Sequence, residues 1–413
     1  MKTYGFVPTD ILLPANADMT KWSCVACDQY TSEPEYWREV EKIVGDNVST
    51  LRLMLPEIYL HEIEKRSSQI IDTMNQYLNT GVFREINDSF VYVERTLADG
   101  KTRNGLVGAI DLEVYDFSNG TRSLCRPTEA TVTSRLPARV KVRSAAAIEM
   151  PHIMMLLDDP QKTVIEPYAH RIDQLEKLYD FELMQQSGHI RGYRVSREDA
   201  VYALSAIENL YQNSKDNYPM LYAMGDGNHS LAAAKQYYES LKGTLGDKAM
   251  QHPARYALVE LVNLHDDSLE FEPIHRVVFD VDTDKFMFEF NKFCGLKEGR
   301  HEGQTFTVVI NGKETEYTFT SPCGAVTVGN IQDFIDNYIE ANGGETDYIH
   351  GEQVVKNLAA VPGRIGFIVD GISKSSFFDV IKTDGILPRK TFSMGHASDK
   401  RFYLECRRIN STK

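Results

Sequence analysis

The stretch L-Y-A-M-G-D-G-N-H-S-L-A-A-A-K-Q-Y-Y, residues 221 to 238, decides how the chain is read. A short apolar run ends at Met224, Gly225 and Gly227 bracket Asp226, and Asn228, His229 and Ser230 follow. The alanine-rich pattern from Leu231 reads as a helix with Ser230 as its cap. Strand, glycine turn, polar cluster and helix in that order belong to an α/β or α+β fold, with mixed sheets and flanking helices. The same order presents unpaired backbone N–H groups and partial positive charge at a helix start, which suits a phosphate or a carboxylate. The plain alternative is a tight turn before a capped helix, with His229 merely solvated.

Outward from this stretch, residues 1 to 33 read as irregular, and residues 34 to 44 and 57 to 79 as helices. F-V-Y-V-E-R-T-L (90–97) and T-R-N-G-L-V-G-A-I-D-L-E-V-Y (102–115) read as strands joined by a hairpin loop. A basic helix is expected near 134–149, a strand at 188–195, a helix from Ser196 to about 212, and a buried strand at 254–264. Helices near 283–293, 331–341, 351–360 and 374–382 alternate with strands near 305–320, 363–369 and 402–408. A chain of 413 residues exceeds one ordinary core. The expected division is a main α+β domain over 1–280 that holds the 225–230 turn, and a smaller α+β region over 281–413.

The formal net charge of −14 argues against a nucleic-acid backbone as the partner, because that needs a clustered basic surface. No segment approaches the ~20 apolar residues of a membrane helix, and the first residues lack an apolar signal-peptide core, so a cytoplasmic location is expected. Cys24 and Cys27 form a lone C-x-x-C with no second ligand pair at zinc spacing, and they read as unpaired structural thiols. P-loop, G-x-G-x-x-G, H-E-x-x-H and G-x-S-x-G patterns are absent, which removes the commonest nucleotide, zinc-hydrolase and serine-hydrolase readings. No residues are assigned to a resident metal.

Three further clusters carry polar chemistry. Leu387 to His396 holds Arg389, Lys390 and Thr391, with Lys400 and Arg401 just beyond, and reads either as a phosphate grip or as a solvated charge run. Glu272-Pro-Ile-His275-Arg276 reads as a His–Arg pair facing a cleft or as the start of a strand. Arg126-Pro-Thr-Glu129-Ala-Thr131 offers Glu129 as a general base or as a solvated carboxylate.

Taken in order, V-S-T-L-R-L-M-L-P-E (48–57), R-P-T-E-A-T (126–131), L-L-D-D-P (156–160), M-G-D-G-N-H-S-L-A-A-A (224–234), E-P-I-H-R-V (272–277) and L-P-R-K-T-F (387–392) resemble the bacterial and archaeal family catalogued as domain of unknown function 1015. That family is similar in turn to the ParB/sulfiredoxin-type superfamily, which includes free-serine kinases. The resemblance implies a ParB/sulfiredoxin-like element around 221–238, a nucleotide-linked phosphotransferase, and a small hydroxy amino acid such as serine as substrate. Asp226, Gly227 and His229 match the family's D-G-x-H pattern. Asn228 stands where the family has histidine, and Ser230 where it has arginine. Of the family's H-E-x-T segment, Glu129 and Thr131 remain.

These readings combine into one expectation. Gly225, Gly227, Asn228 and Ser230 cradle the phosphate of a nucleotide or small anionic metabolite, with ATP or ADP and Mg²⁺ as cofactors. Asp226 or Glu129 acts as base, and His229 stabilises developing charge. A cation among Lys390, Arg389 and Arg276, with His275 and Thr391 nearby, replaces the missing arginine. Two alternatives stand beside it: a non-catalytic sensor of a small anionic metabolite, and a ParB-like nucleic-acid partner disfavoured by the net charge.

Overall fold

The structure is a computed structural model that describes residues 4–150, 152–388 and 390–410, and all of their side chains except those of Arg135 and Asp384. Arg389 therefore lies outside the described residues. The chain divides into two compact units, one of Met1–Pro127, Thr131–Leu269 and His396–Lys413, the other of Thr128–Ala130 and Glu270–Gly395. The architecture is mixed α/β, as the alternation of strand and helix patterns implies.

The first unit is built on a ten-stranded sheet. Its strands are β1 (Phe6–Val7), β2 (Thr9–Pro14), β3 (Phe83–Thr96), β4 (Thr102–Asp111), β5 (Cys125–Arg126), β6 (Met154–Leu157), β7 (Glu176–Glu182), β8 (His189–Val195), β9 (Tyr222–Asp226) and β10 (Tyr256–Asn263). They lie in the order β5-β9-β6-β10-β4-β3-β8-β7, with β1 on β4 and β2 on β3. The β3–β4 hairpin forms as its alternation implies, with Val91 opposite Val107.

Side-chain alternation feeds two cores, one on each face. Val91, Val93, Val107 and Leu258 join one core; Phe90, Tyr92, Leu106 and Val259 join the other. The first core packs α1 (Pro34–Val44) through Trp37 and Val40, and α2 (Ile63–Asn79) through Ile70 and Met74. The second packs α4 (Ala200–Asn213) and α5 (Asn228–Leu245), while α3 (Leu136–Ala145) lies against α5. With both faces covered, the central strands read as continuous apolar runs.

Two local expectations need correction. Of the stretch 1 to 33, residues 4 to 33 are not irregular: they hold β1, β2, a short helix Met19–Trp22 and a two-residue strand, Cys24–Val25. The two-residue strands carry no readable period, and the six residues of β2, T-D-I-L-L-P, do not alternate apolar with polar. Helix α5 starts at Asn228 rather than Leu231, and its cap is Gly227 rather than Ser230. Gly227 sits at φ 79°, a left-handed conformation open to glycine at little cost, so the chain turns into the helix three residues earlier.

The C-terminal segment closes the first unit. Phe402–Tyr403 pairs with Cys24–Val25, and Arg407–Arg408 pairs with Ile148–Glu149. Buried Arg401 bridges Glu260 of β10 and Glu405, the latter at 2.6 Å. Arg407 meets Glu149 at 2.6 Å, and Arg143 reaches the same carboxylate at 2.6 Å. Arg95 and Arg103 of the hairpin donate to the carbonyls of Ser398 and Asp399, each at 2.9 Å.

The second unit holds a seven-stranded sheet of β11 (Phe271–Phe279), β12 (Leu296–Glu298), β13 (Thr305–Ile310), β14 (Lys313–Phe319), β15 (Glu345–His350), β16 (Ile365–Val369) and β17 (Phe392–Met394). The order is β12-β14-β13-β16-β11-β15, with β17 on β11. Helices α6 (Thr283–Cys294) and α7 (Thr327–Asn342) cover one face through Phe286, Phe290 and Phe334. Helix α8 (Glu352–Leu358) covers the other through Val355, against Val277 and Val309.

Replacing Arg401 with methionine strands two buried carboxylates, so Arg401→Met is expected to lose ~3–5 kcal/mol of stability in denaturant titration. Burial pushes the Glu149 carboxyl up, but Arg143 and Arg407 outweigh burial and hold it below its ordinary value. A depressed folded value means that this stabilisation is present above the unfolded value of ~4.3 and is lost as pH falls through the folded one. Glu149→Gln should therefore flatten the acid side of the melting-temperature profile while lowering the plateau at neutral pH.

Candidate functional site

The 225–230 turn is shaped by a bulge. Strand β9 runs antiparallel to β6 with a register shift between Met224 and Asp226, so Asp226 rather than Gly225 lies opposite Met154. Bulges of this kind re-aim side chains at the ends of strands. The approach behind Gly227 is close: a Cβ there would lie 2.9 Å from the Cα of Ile153. Glycine is thus required twice at 227, for φ and for space. Gly227→Ala should cost ~1–2 kcal/mol from the left-handed backbone alone, and more from the contact with Ile153. A variant melting as wild type does would remove this account of the turn.

At the start of α5 the first-turn N–H groups have no carbonyl inside the helix. Among the described residues, the N–H groups of Asn228 and Ser230 have no acceptor elsewhere. The Oδ1 of Asn228 and the Oγ1 of Thr131 are buried without a hydrogen-bond partner. The neighbour of Thr131, Val132, donates its N–H to His229 Nε2 at 3.2 Å, which ties the 131–132 backbone to the helix start. His229 Nε2 is thus an acceptor here.

Asp226 Oδ1 accepts from the Gly227 N–H at 2.8 Å, and its Oδ2 lies 3.4 Å from Lys400 Nζ. The side chains of Asp226 and Lys400 are 20% and 15% exposed, which leaves both within reach of a ligand. Sequence reasoning placed Lys400 in a basic run but did not connect it to Asp226, which is 174 positions away in the chain. The C-terminal arginine clamps deliver it.

Beside Asp226 sits a second group that the sequence did not reveal. Oxygens of Asp28 and Asp226 and a ring nitrogen of His152 lie within 4.8 Å of one another. His152 Nε2 is 3.3 Å from Asp28 Oδ2, and His152 Nδ1 is 2.8 Å from the Tyr403 hydroxyl. Tyr403 donates in turn to Cys27 Sγ at 3.1 Å. Burial disfavours the charged form of His152, but Asp28 and then Asp226 outweigh it and raise the imidazole above its ordinary value. Burial likewise works against the Asp28 carboxylate, yet His152 brings it well below the usual range. The Cys27 thiol is pushed up to about 12, first by burial and then by Asp28, so it stays protonated. Cys24 and Cys27 are both free thiols.

The other residues expected at the site belong to the second unit. His275 is buried in β11, where burial lowers its pKa, and its Nδ1 accepts from the Val369 N–H at 3.3 Å. Arg276 is fully buried and donates to Gln332 Oε1 and to the Lys390 carbonyl, each at 3.0 Å, and to the Ile274 carbonyl. Thr391 Oγ1 donates to the Pro388 carbonyl at 2.7 Å. Arg276 and Thr391 thus tie down the carbonyls of Lys390 and Pro388. Lys390 is exposed at φ 56°, and Glu129 bridges to Leu387. Gln332 and Leu387 line a cavity of about 450 Å³ with Asp333, Asp336 and Tyr348.

Residues 8–338 match the family described as "Protein of unknown function (DUF1015)". The chain belongs to that family. No curated protein is significantly similar in sequence. Among solved structures, the chain is similar to a free serine kinase mutant in complex with ADP (12% identity, TM-score 0.40, covering 75% of this chain and 93% of that one). It is also similar to a conserved hypothetical protein from Pyrococcus furiosus (11%, 0.36, 73% and 94%). A third similar structure is SbnI with a C-terminal truncation from Staphylococcus aureus (10%, 0.39, 74% and 87%). Among the described residues no helix is long and apolar enough to cross a membrane.

Proposed function

We propose that the first unit binds a nucleotide or phosphorylated small metabolite at the start of α5 and transfers its phosphoryl group to a small hydroxy acid of the serine type. The observation that carries this reading is Lys400 Nζ, 3.4 Å from Asp226, beside a helix start with unpaired N–H groups. An anion there meets helix-end donors and an ammonium together, and charge-assisted hydrogen bonds of this kind are the strong ones. Lys400 takes the part that the family resemblance gives to arginine at 230. Asp226 takes the proton of the attacking hydroxyl. His229 positions the 131–132 backbone. ATP or ADP enters with Mg²⁺ on its phosphates. Phosphoryl transfer asks mainly for positioning and charge neutralisation, which this arrangement supplies.

Ser230 supports a second reading, a sensor that binds the anion without turnover, because one hydroxyl replaces a bidentate guanidinium.

Calorimetry with ADP and with ATP, each with and without Mg²⁺, tests the binding. Heat is expected with wild type, and Lys400→Gln should weaken binding by ~10- to 100-fold, the equivalent of one charged hydrogen bond. No heat and no thermal shift with either nucleotide would sink the reading. Product formed from serine or another hydroxy acid separates the enzyme from the sensor.

A further inference from the structure

We propose that Asp28, His152 and Asp226 form a binding site for a divalent first-row transition-metal ion of the Mn²⁺ type. The site goes beyond the phosphate reading: it shares Asp226 with it but stands on its own geometry. The three ligand atoms come from the segment after Cys24–Val25, the residue two places before β6, and the end of β9. Two ligands at ~2.1 Å from one ion are at most ~4.2 Å apart, so the observed 4.8 Å envelope closes on an ion with small side-chain shifts.

A ring proton and a metal ion can occupy the same place in this cluster. Tyr403 has one hydroxyl proton, and it is directed at Cys27 Sγ. With that proton on Cys27, the Tyr403 oxygen accepts from His152 Nδ1 in the tautomer that carries its hydrogen there. In the neutral ring this leaves the Nε2 lone pair facing carboxylate oxygens, which offer only further lone pairs. Something positive must lie between them, either a second ring proton or a metal ion.

The surroundings are those of a metal site. Metal-bound histidines donate their other ring N–H to a fixed acceptor, as His152 does to Tyr403, and ligating carboxylates are themselves hydrogen-bonded. Asp28 Oδ1 accepts from Gln29 Nε2 at 3.0 Å, and Asp226 Oδ1 from the Gly227 N–H at 2.8 Å. The His152 side chain is 5% exposed and that of Asp28 29%, so the cluster is held from behind and open at one side. Two carboxylates with one imidazole suit Mn²⁺ and its neighbours better than Mg²⁺, which prefers oxygen alone.

The test titrates the full chain with Mn²⁺ alone, without any phosphate ligand, following free Mn²⁺ by its electron paramagnetic resonance signal. One ion per chain is expected. Asp28→Asn and Tyr403→Phe should each weaken it by ~10-fold or more. Lys400→Gln should tighten it, because a competing cation leaves Asp226; the same change weakens phosphate binding, so the two readings fail separately. Wild type that leaves the free Mn²⁺ signal undiminished overturns the proposal. So does an Asp28→Asn chain that melts normally and binds as wild type does. If Asp28→Asn fails to fold, the wild-type stoichiometry and the Lys400→Gln shift decide.

Discussion

The buried ion pairs of Arg401 hold the first unit's site together. This guanidinium lies between Glu260 on the central strand β10 and Glu405 on its own segment, and Glu405 also accepts from Tyr179 at 2.5 Å. Stripping water from such charges is costly, and with Glu260 Oε1 and Arg401 Nε buried without a hydrogen-bond partner the pairing does not return that cost in full. The reward is position rather than net stability. Lys400 and Tyr403 flank Arg401 at one and two residues, so fixing the guanidinium fixes an ammonium beside Asp226 and a phenol beside His152. Arg95 and Arg103 hold the Ser398 and Asp399 carbonyls of the same stretch, which leaves Lys400 little freedom to drift.

Much of the fold was legible because its central elements are periodic and local. The strands expected at 90–97 and 102–115 fall on Phe83–Thr96 and Thr102–Asp111, the one at 254–264 on Tyr256–Asn263, and the helix expected over 57–79 runs from Ile63 to Asn79 after a 3₁₀ turn at Glu57–Glu62. Each repeats a pattern over several residues. The two-residue strands at 6–7, 24–25, 402–403 and 407–408 carry no period; their pairing is set by partners distant in sequence, at 109–110, 402–403, 24–25 and 148–149. The start of α5 was misplaced by three residues for a different reason. Asn228, His229 and Ser230 are weak helix formers that read as a cap, whereas the αL conformation of Gly227 had already turned the chain.

The site divides along the same line. Asp226 and Gly227 stood out because the strand-turn-helix that builds them is continuous in sequence. Asp28, His152 and Tyr403 did not, and Lys400 stood out only as part of a basic run, because each gains its place beside Asp226 only from long-range contact; the Cys27–Tyr403 hydrogen bond spans 376 positions. A His–Arg pair after proline resembles an anion grip; in the fold Arg276 has no exposed surface and donates to Gln332 Oε1 and to the carbonyls of Ile274 and Lys390.

Charge balance links the two readings of the first unit. Asp28 and Asp226 bring two negative charges and Lys400 one positive charge; a second ring proton on His152 would bring the other and make the cluster neutral. An arriving phosphate would leave that neutral cluster with an uncompensated negative charge. Exchange of the His152 proton for a divalent ion adds one positive charge at the place where the phosphate's charge has to be met. A metal at Asp28, His152 and Asp226 would therefore favour an anion at the α5 start. By linkage, a bound anion would favour the metal by the same factor. Asp226 is the residue through which that coupling passes, since its two oxygens face the helix turn on one side and Lys400 on the other.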